Sequence, residues 1–453
     1  MKATCSKTNR SFLFELPFWL SLSYWSISPD TITPKLVIAS IPINAKDIVL
    51  FAVACFYLFR PAISNFSGTT IFRRHHWHHH LPILTAFLLF YAEVSMEGSG
   101  MDASNTKAMT YTLISAASAF WLGYILVTKT SPESLRFFLW RLTVYLAVLG
   151  LLYSAASFFS LQLGNVRADL NALNAARGEF GILRVSGPLF GASTGHFILV
   201  PALAFSIQEL INTRTRSPFK FSVVMALTMT IVGFGSRAGL IILFLFFLCF
   251  LFFIKNKKQA IVSALIMVIL FSIATVVVYA NSNTDRLKSF EDSARSETYL
   301  TSLQIINNRS AELNFTGSGY GSYWSWYLPD LDEDRATSFD GTPSFLVRPF
   351  GYMLYHPHST FLLFIVELGT IGLLYFLYLW IVLARLVLCN RQSATFTILN
   401  SGVFASGFSM FFDFFIFKGA QINTLWWIYL FGALALNFSL IRVKAETPVA
   451  HQI

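Results

Sequence analysis

The sequence predicts an all-α, polytopic integral membrane protein with about twelve transmembrane helices and a large outer loop between the ninth and the tenth. Three observations predict it. Of 453 residues, 55% are hydrophobic and only 12% are charged, about half the charge of an ordinary soluble domain. Apolar runs of spanning length recur along the whole chain. The basic residues between those runs alternate from one side to the other, as the positive-inside rule requires.

The runs lie near 11–28, 45–60, 81–97, 108–128, 136–158, 187–208, 218–235, 238–254, 260–280, 358–384, 395–416 and 424–442. Lys2, Lys7 and Arg10 precede the first run. No small-residue cleavage site follows it, so it reads as a retained helix and not as a signal peptide. With the N-terminus inside, the inner loops hold Arg60, Arg73 and Arg74; Lys129 and Arg136; Arg214, Arg216 and Lys220; Lys255, Lys257 and Lys258; Arg385 and Arg391; Arg442 and Lys444. Both termini are then on the inner side. This pattern also accounts for the net charge of +10 as topology signal, not as a nucleic-acid footprint. Cys5, Cys55, Cys249 and Cys389 have no paired spacing, which excludes a disulfide framework or a zinc site as the reading.

Two outer loops are long, 159–186 and 281–357. Acidic residues outnumber basic ones in the second, and Tyr320, Tyr323, Trp324, Trp326 and Tyr327 argue that it is ordered. A polar loop of this length is usually functional or disordered. No repeat of fixed period is visible, nor the matched pair of Gly/Pro-broken helices that points to a secondary transporter.

Chemistry-bearing residues cluster on the outer side. His356 and His358 lie where the large loop re-enters the membrane, in Tyr355-His356-Pro357-His358-Ser359-Thr360. A histidine there suits removal of a proton from a hydroxyl; an interfacial histidine bonded to a backbone carbonyl is the other reading. Glu367 falls about two turns later, on the helix face opposite His358 at about 100° per residue. A carboxylate at that depth faces the bundle or a wet cavity, either for catalysis or to order a neighbouring segment. Gly369 and Gly372 share a face and would let another helix approach.

Arg237, in Gly235-Ser236-Arg237-Ala238-Gly239, sits at an outer turn, where a guanidinium can hold a phosphate or snorkel to lipid heads. Arg295 opens a helix-like stretch with Tyr299, and Glu291 four residues earlier offers it a surface ion pair. Gly317, Gly319 and Gly321 either turn the chain or bring amides to a phosphate. Arg184, with Arg167 and Arg177, adds positive charge on the outer face. The run Arg73-Arg74-His75-His76-Trp77-His78-His79-His80 lacks a neighbouring carboxylate or cysteine, and metal binding is not the expectation.

Taken in order, these segments resemble the bacterial O-antigen ligase and polymerase superfamily. His358-Ser359, nine residues, Gly369, two residues and Gly372 look like its outer-loop signature, with Glu367 where that family often has glutamate. Ser236-Arg237-Ala238-Gly239 looks like its Ser-Arg-Gly-like turn. Arg295, Tyr299 and Gly317 to Gly321 look like its arginine helix and following glycine turn. Arg184 with Gly187 is similar to its Arg-x-x-Gly segment, without the usual Pro-Asn. The detailed resemblance covers 184–384.

The resemblance implies an inner-membrane, metal-independent, inverting glycosyltransferase with no cofactor and a periplasmic site. Its donor would be a glycan on undecaprenyl diphosphate. Its acceptor would be lipid A–core for a ligase, the favoured expectation, or a second lipid-linked glycan for a polymerase of O-antigen or exopolysaccharide. Arg237 and Arg295 would hold the diphosphate and His358 would serve the acceptor hydroxyl. Glu367 joins this catalytic set, and Arg184, His356, Tyr299 and Gly319 are the expected substrate-binding residues. Membrane lipid is the other partner, and nucleic acid is not one. A transporter or flippase is the rival class; it would not need an ordered outer loop ending in histidine.

Overall fold

The computed structural model describes residues 2–28, 35–38, 41–60, 77–97, 103–159, 185, 187–191, 194–212, 217–234, 236–253, 299–300, 302–303, 306–322, 345–348, 351–354, 359–388, 397–412, 416–417 and 419–446. These are almost entirely helical. The helices are α1 (Lys2–Ile27), α2 (Ala45–Phe59), α3 (Trp77–Glu97), α4 (Ala103–Thr128), α5 (Pro132–Phe159), α6 (Gly195–Asn212), α7 (Pro218–Gly233), α8 (Arg237–Phe253), α9 (Ala311–Thr316), α10 (Thr360–Leu388), α11 (Thr397–Gly407) and α12 (Ala420–Glu446), with a 3₁₀ turn at Phe408–Phe411 after α11.

Their starts follow from local sequence. Asn44, Ser217 and Ser310 cap α2, α7 and α9, their side chains accepting from Lys46, Lys220 and Leu313 amides, and Pro218 opens α7. Met109–Thr128, Pro132–Ala156, Gly195–Asn212 and Thr360–Leu388 are long and apolar enough to cross a bilayer; His80–Met96, Pro218–Gly233 and Arg237–Phe252 are apolar but shorter. The expected ninth run, 260–280, lies outside the described residues. The run expected at 395–416 is a short α-helix followed by the 3₁₀ turn.

The helical class holds, with two short antiparallel hairpins beside the helices, Lys35–Ile38 (β1) with Ile41–Asn44 (β2), and Phe345–Arg348 (β3) with Gly351–Leu354 (β4). Both fall in outer-loop sequence, where chain ends brought close together can pair their own backbone groups.

Polar contacts define two ends of the bundle. At one, Asp47 accepts from Tyr111 (2.6 Å) and Gln421 (2.7 Å), and Trp25 donates to the Lys46 carbonyl (3.2 Å). At the other, Lys129 caps the end of α2 by donating to the carbonyls of Tyr57 (2.7 Å) and Leu58 (3.0 Å), and Arg136 binds Glu209 through Nε (2.6 Å) and Nη2 (3.0 Å). Arg60, Lys129, Arg136, Lys220 and Arg385, all expected in inner loops, gather at this second end.

Between the ends, small residues let helices touch. A Cβ on Gly123 would meet Trp427, one on Gly150 would meet Thr230, and one on Gly402 would meet Ala204. Buried polar pairs join the helices as well, such as Asn400 with Asn437 (2.8 Å) and Thr143 with Tyr429 (2.9 Å). Large apolar side chains including Phe51, Phe87, Phe90, Phe244 and Leu374 point outward, the reverse of a soluble surface and the arrangement lipid would solvate.

Candidate active site

The candidate site lies at the first end and is built around a break in α10. Ser359 caps this helix, its hydroxyl accepting from the Leu362 amide (3.4 Å). Ten residues after Ser359, Gly369 adopts φ 59° and ψ −145°, a conformation essentially restricted to glycine. The helix bends sharply there. Phe361 and Phe376 would lie about 22 Å apart along a straight helix, yet their rings are 5.4 Å apart. A Cβ on Gly372 would sit 2.6 Å from the Phe364 carbonyl oxygen. Gly372 therefore serves the bend, and Gly369 serves both the bend and, as expected, the close approach of another helix: a Cβ there would lie 2.4 Å from the carbonyl oxygen of Phe315 in α9. The expected span at 358–384 is likewise two legs, and the longer one, 370–388, covers about 28 Å by itself.

A break of this kind frees carbonyls that would otherwise accept within the helix. The large loop supplies their donors. Arg309 donates Nη2 to the Ile365 carbonyl and Nη1 to the Val366 carbonyl, each at 2.7 Å. The Ser318 amide donates to Val366 and the Gly319 amide to Glu367, each at 3.0 Å. Arg309 is fixed in turn by Asn314 (2.6 Å). Gly317, Gly319 and Gly321 all have positive φ. A Cβ on Gly317 would lie 2.2 Å from the Glu367 carbonyl oxygen, so only glycine allows this turn to seat against the break. The turn reading of these glycines holds, and the Gly319 amide, considered for phosphate, is donated to Glu367.

The turn is locked from behind. Tyr91 donates to the Thr316 carbonyl (2.5 Å), the Tyr320 amide to Ser95 Oγ (3.1 Å), and the buried Tyr320 phenol to the Phe417 carbonyl (3.2 Å). Burial pushes that phenol's pKa well up, and the Glu367 carboxylate adds to the effect. Burial also holds the Arg309 guanidinium somewhat below its usual pKa. Glu367 itself is 1% exposed, at the tip of the short leg. It faces the bundle, as its depth in the sequence implied.

Arg237 occupies the first position of α8. Ser236 caps this helix by accepting from the Gly239 amide (3.4 Å). An arginine at a helix start adds its charge to the partial positive charge of the exposed amides, a combination suited to an anion. The Arg184 segment arrives beside this turn: the amide of Val185 donates to the Gly233 carbonyl (3.0 Å). Gly187 is required because a Cβ there would lie 2.2 Å from the Tyr153 ring. Tyr299 reaches the other side of the site, donating to the Phe411 carbonyl in the 3₁₀ turn. That turn also packs on the short leg through Phe411 and Phe361, whose rings are 5.7 Å apart.

Of the residues expected from sequence, Arg237, Glu367, Tyr299 and Gly319 are placed at this end. Arg184, Arg295, His356 and His358 lie outside the described residues, as do the side chains of His75, His76, His78 and His79. The helix expected at 81 begins at Trp77, so part of that histidine run is helical. The fully buried His196, in the first turn of α6 beside Gly239, and Arg309 were not anticipated. A glycine pair inside an apolar run is the signal that could have found Arg309, since freed carbonyls need a donor.

Residues 221–377 match the family model for O-antigen ligase, Wzy_C. The resemblance read from the sequence is thereby shown over that stretch. The O-antigen ligase domain spans about a third of the chain and encloses Arg237, Arg295, Tyr299, Gly319, His356, His358 and Glu367; Arg184 precedes it. It also encloses Arg309 and the Gly369 break, so the docked loop and the bent helix belong to one family unit. The match supports a membrane glycan transferase of the ligase and polymerase class. The comparison with curated proteins finds no match.

Proposed function

We propose that the protein transfers an undecaprenyl-diphosphate-linked glycan to an acceptor hydroxyl at the periplasmic face of the inner membrane, as an O-antigen ligase acting on lipid A–core. The observation that carries this reading is the O-antigen ligase match over 221–377, the stretch whose glycine turn, arginine clamp and broken helix form one docked unit. The gathering of basic residues at the opposite end supports a periplasmic orientation for the site.

In this mechanism Arg237 and Arg295 hold the diphosphate, with the first turn of α8 adding its amides. The acceptor oxygen attacks the anomeric carbon as the carbon–oxygen bond to the diphosphate breaks. The diphosphate leaves with the electron pair, and fixed cations stabilise its growing charge. His358 takes the hydroxyl proton, and a single displacement inverts the anomeric centre. Arg184, His356 and Tyr299 line the approach of the substrates, and Glu367 orders the short leg that begins directly after His358 and Ser359. No metal or cofactor enters the scheme.

The test is transfer by purified protein in detergent with chelator, given lipid-linked glycan with or without lipid A–core. A glycan–lipid A product, lost in His358→Ala, is the expected result. Longer lipid-linked chains formed without lipid A would replace ligase by polymerase. No transfer to either acceptor, with donor that another transferase can use, would overturn the reading in favour of a transporter.

A further inference from the structure

At the end opposite the candidate site, a cavity of about 450 Å³ opens between the start of α5, the end of α6 and the start of α7, lined by Glu133, Arg136, Phe137, Trp140, Glu209 and Lys220. Its base is built. The Glu209 side chain is buried, only 7% exposed, and its carboxylate binds both Arg136 and, at 3.2 Å, Lys220. The Lys220 ammonium also donates to the Glu209 carbonyl (3.1 Å) and lies 5.3 Å over the Trp140 ring. Arg136 remains 46% exposed toward the opening.

We propose that this cleft binds the headgroup of a membrane phospholipid that carries both a phosphate and an ammonium, as phosphatidylethanolamine does. The lining presents two cations and two carboxylates, a balance that matches a zwitterion better than an anion. A guanidinium anchored by one carboxylate is oriented for a phosphate. Glu133 offers an ammonium a carboxylate beside the Trp140 ring, which already holds the Lys220 ammonium and so marks this corner as one that accepts a cation. A lipid and not a free solute is the occupant because the rim is apolar and outward-facing: Phe137 in the lining and Phe219, whose ring lies 6.2 Å from Trp140, are 68% and 57% exposed. The volume falls within the range of small-ligand sites. The cleft also lies at the end with the gathered basic residues, which the positive-inside rule puts at the inner leaflet, in reach of lipid heads.

The experiment is native mass spectrometry of the full chain released from nanodiscs of equimolar phosphatidylethanolamine, phosphatidylglycerol and phosphatidylcholine. We expect one phosphatidylethanolamine retained per chain, with occupancy at least threefold lower in Arg136→Gln and in Glu133→Gln. Arg136→Gln also disturbs Glu209, so Trp140→Leu stands in if that variant fails to fold. Occupancy by soluble phosphoethanolamine equal to that of the lipid at the same concentration would make the site one for the free headgroup and overturn the lipid assignment. Retained lipid that mirrors the mixture, preferential retention of phosphatidylglycerol, or occupancy unchanged in the variants would overturn the proposal. None of these readouts depends on glycan transfer.

Discussion

Replacing Gly369 by alanine tests whether the docked break is the working arrangement. The new Cβ would lie 2.4 Å from the Phe315 carbonyl oxygen and 2.5 Å from the Gly317 nitrogen, both backbone atoms. Neither distance is sustainable, so the glycine turn must withdraw. The φ of 59° adds strain of about 1–3 kcal/mol for any residue with a side chain. The amide bonds from Ser318 and Gly319 to the freed carbonyls go with the turn, at about 1 kcal/mol each. Together these disfavour the docked arrangement by about 3–5 kcal/mol. At about 1.4 kcal/mol per decade, a hundredfold or greater fall in glycan transfer is expected. The assay is transfer rate with a thermal melt in the same detergent. Gly419→Ala is the control: its φ is 115°, but nothing lies within 4 Å of the added Cβ. That variant carries the strain without the clash and should keep most of its activity. Transfer by Gly369→Ala within twofold of wild type, with an unchanged melt, would refute the reasoning.

Four other substitutions probe separate contacts. Arg309→Lys keeps the charge but cannot reach Ile365, Val366 and Asn314 together; transfer should fall at least tenfold, with binding of the lipid-linked donor in a pull-down little changed. Gly239→Ala should be nearly silent in both melt and transfer, because the nearest atom to its Cβ, on His196, is at an ordinary 3.5 Å. Arg237→Lys, which loses bidentate geometry while keeping charge, should weaken transfer more than it lowers the melting temperature. Tyr320→Phe removes the bond to the Phe417 carbonyl and should cost about 1 kcal/mol of stability. The raised Tyr320 pKa also contributes stability that is present below about pH 10, the ordinary phenol value, and is lost as pH rises, because the unfolded phenol ionises first. The alkaline fall in melting temperature should accordingly be shallower in Tyr320→Phe.

Hydropathy made the helices legible because lipid-length apolar runs leave little choice of structure. Charge patterning grouped Arg60, Lys129, Arg136, Lys220 and Arg385 correctly at one end, since loop charge is a local property that survives folding. The break at Gly369 was not legible. Leu368-Gly369-Thr370-Ile371-Gly372 continues an apolar run, and a small residue in such a run fits interhelical contact as well as it fits a positive φ. Arg309 escaped notice for a related reason. Its partners are backbone carbonyls, which carry no residue-type signature, so nothing in the spacing pairs it with 365 and 366. The two hairpins were missed because four-residue strands produce too short an alternation to stand out.

The break also explains why the large loop cannot be an appendage. Interrupting a helix within an apolar bundle strands carbonyls at positions 365 to 367, and leaving them without donors would cost more than the bend gains. Water is a poor remedy in a bundle that lipid surrounds. The protein instead brings a guanidinium and two amides from a loop about 50 residues earlier in the chain, and glycines on both sides permit the approach. Each half is thus incomplete without the other: the carbonyls of Ile365, Val366 and Glu367 take their donors from the docked loop, and the glycine turn has no seat until the helix breaks. The short leg starts at Ser359 and Thr360, immediately after His358. Docking of Arg309, Ser318 and Gly319 and seating of the leg that starts at Ser359 are therefore one physical event. On the proposed reading this coupling matters for catalysis, because a transferase must bring a donor-binding cation and an acceptor-activating base together.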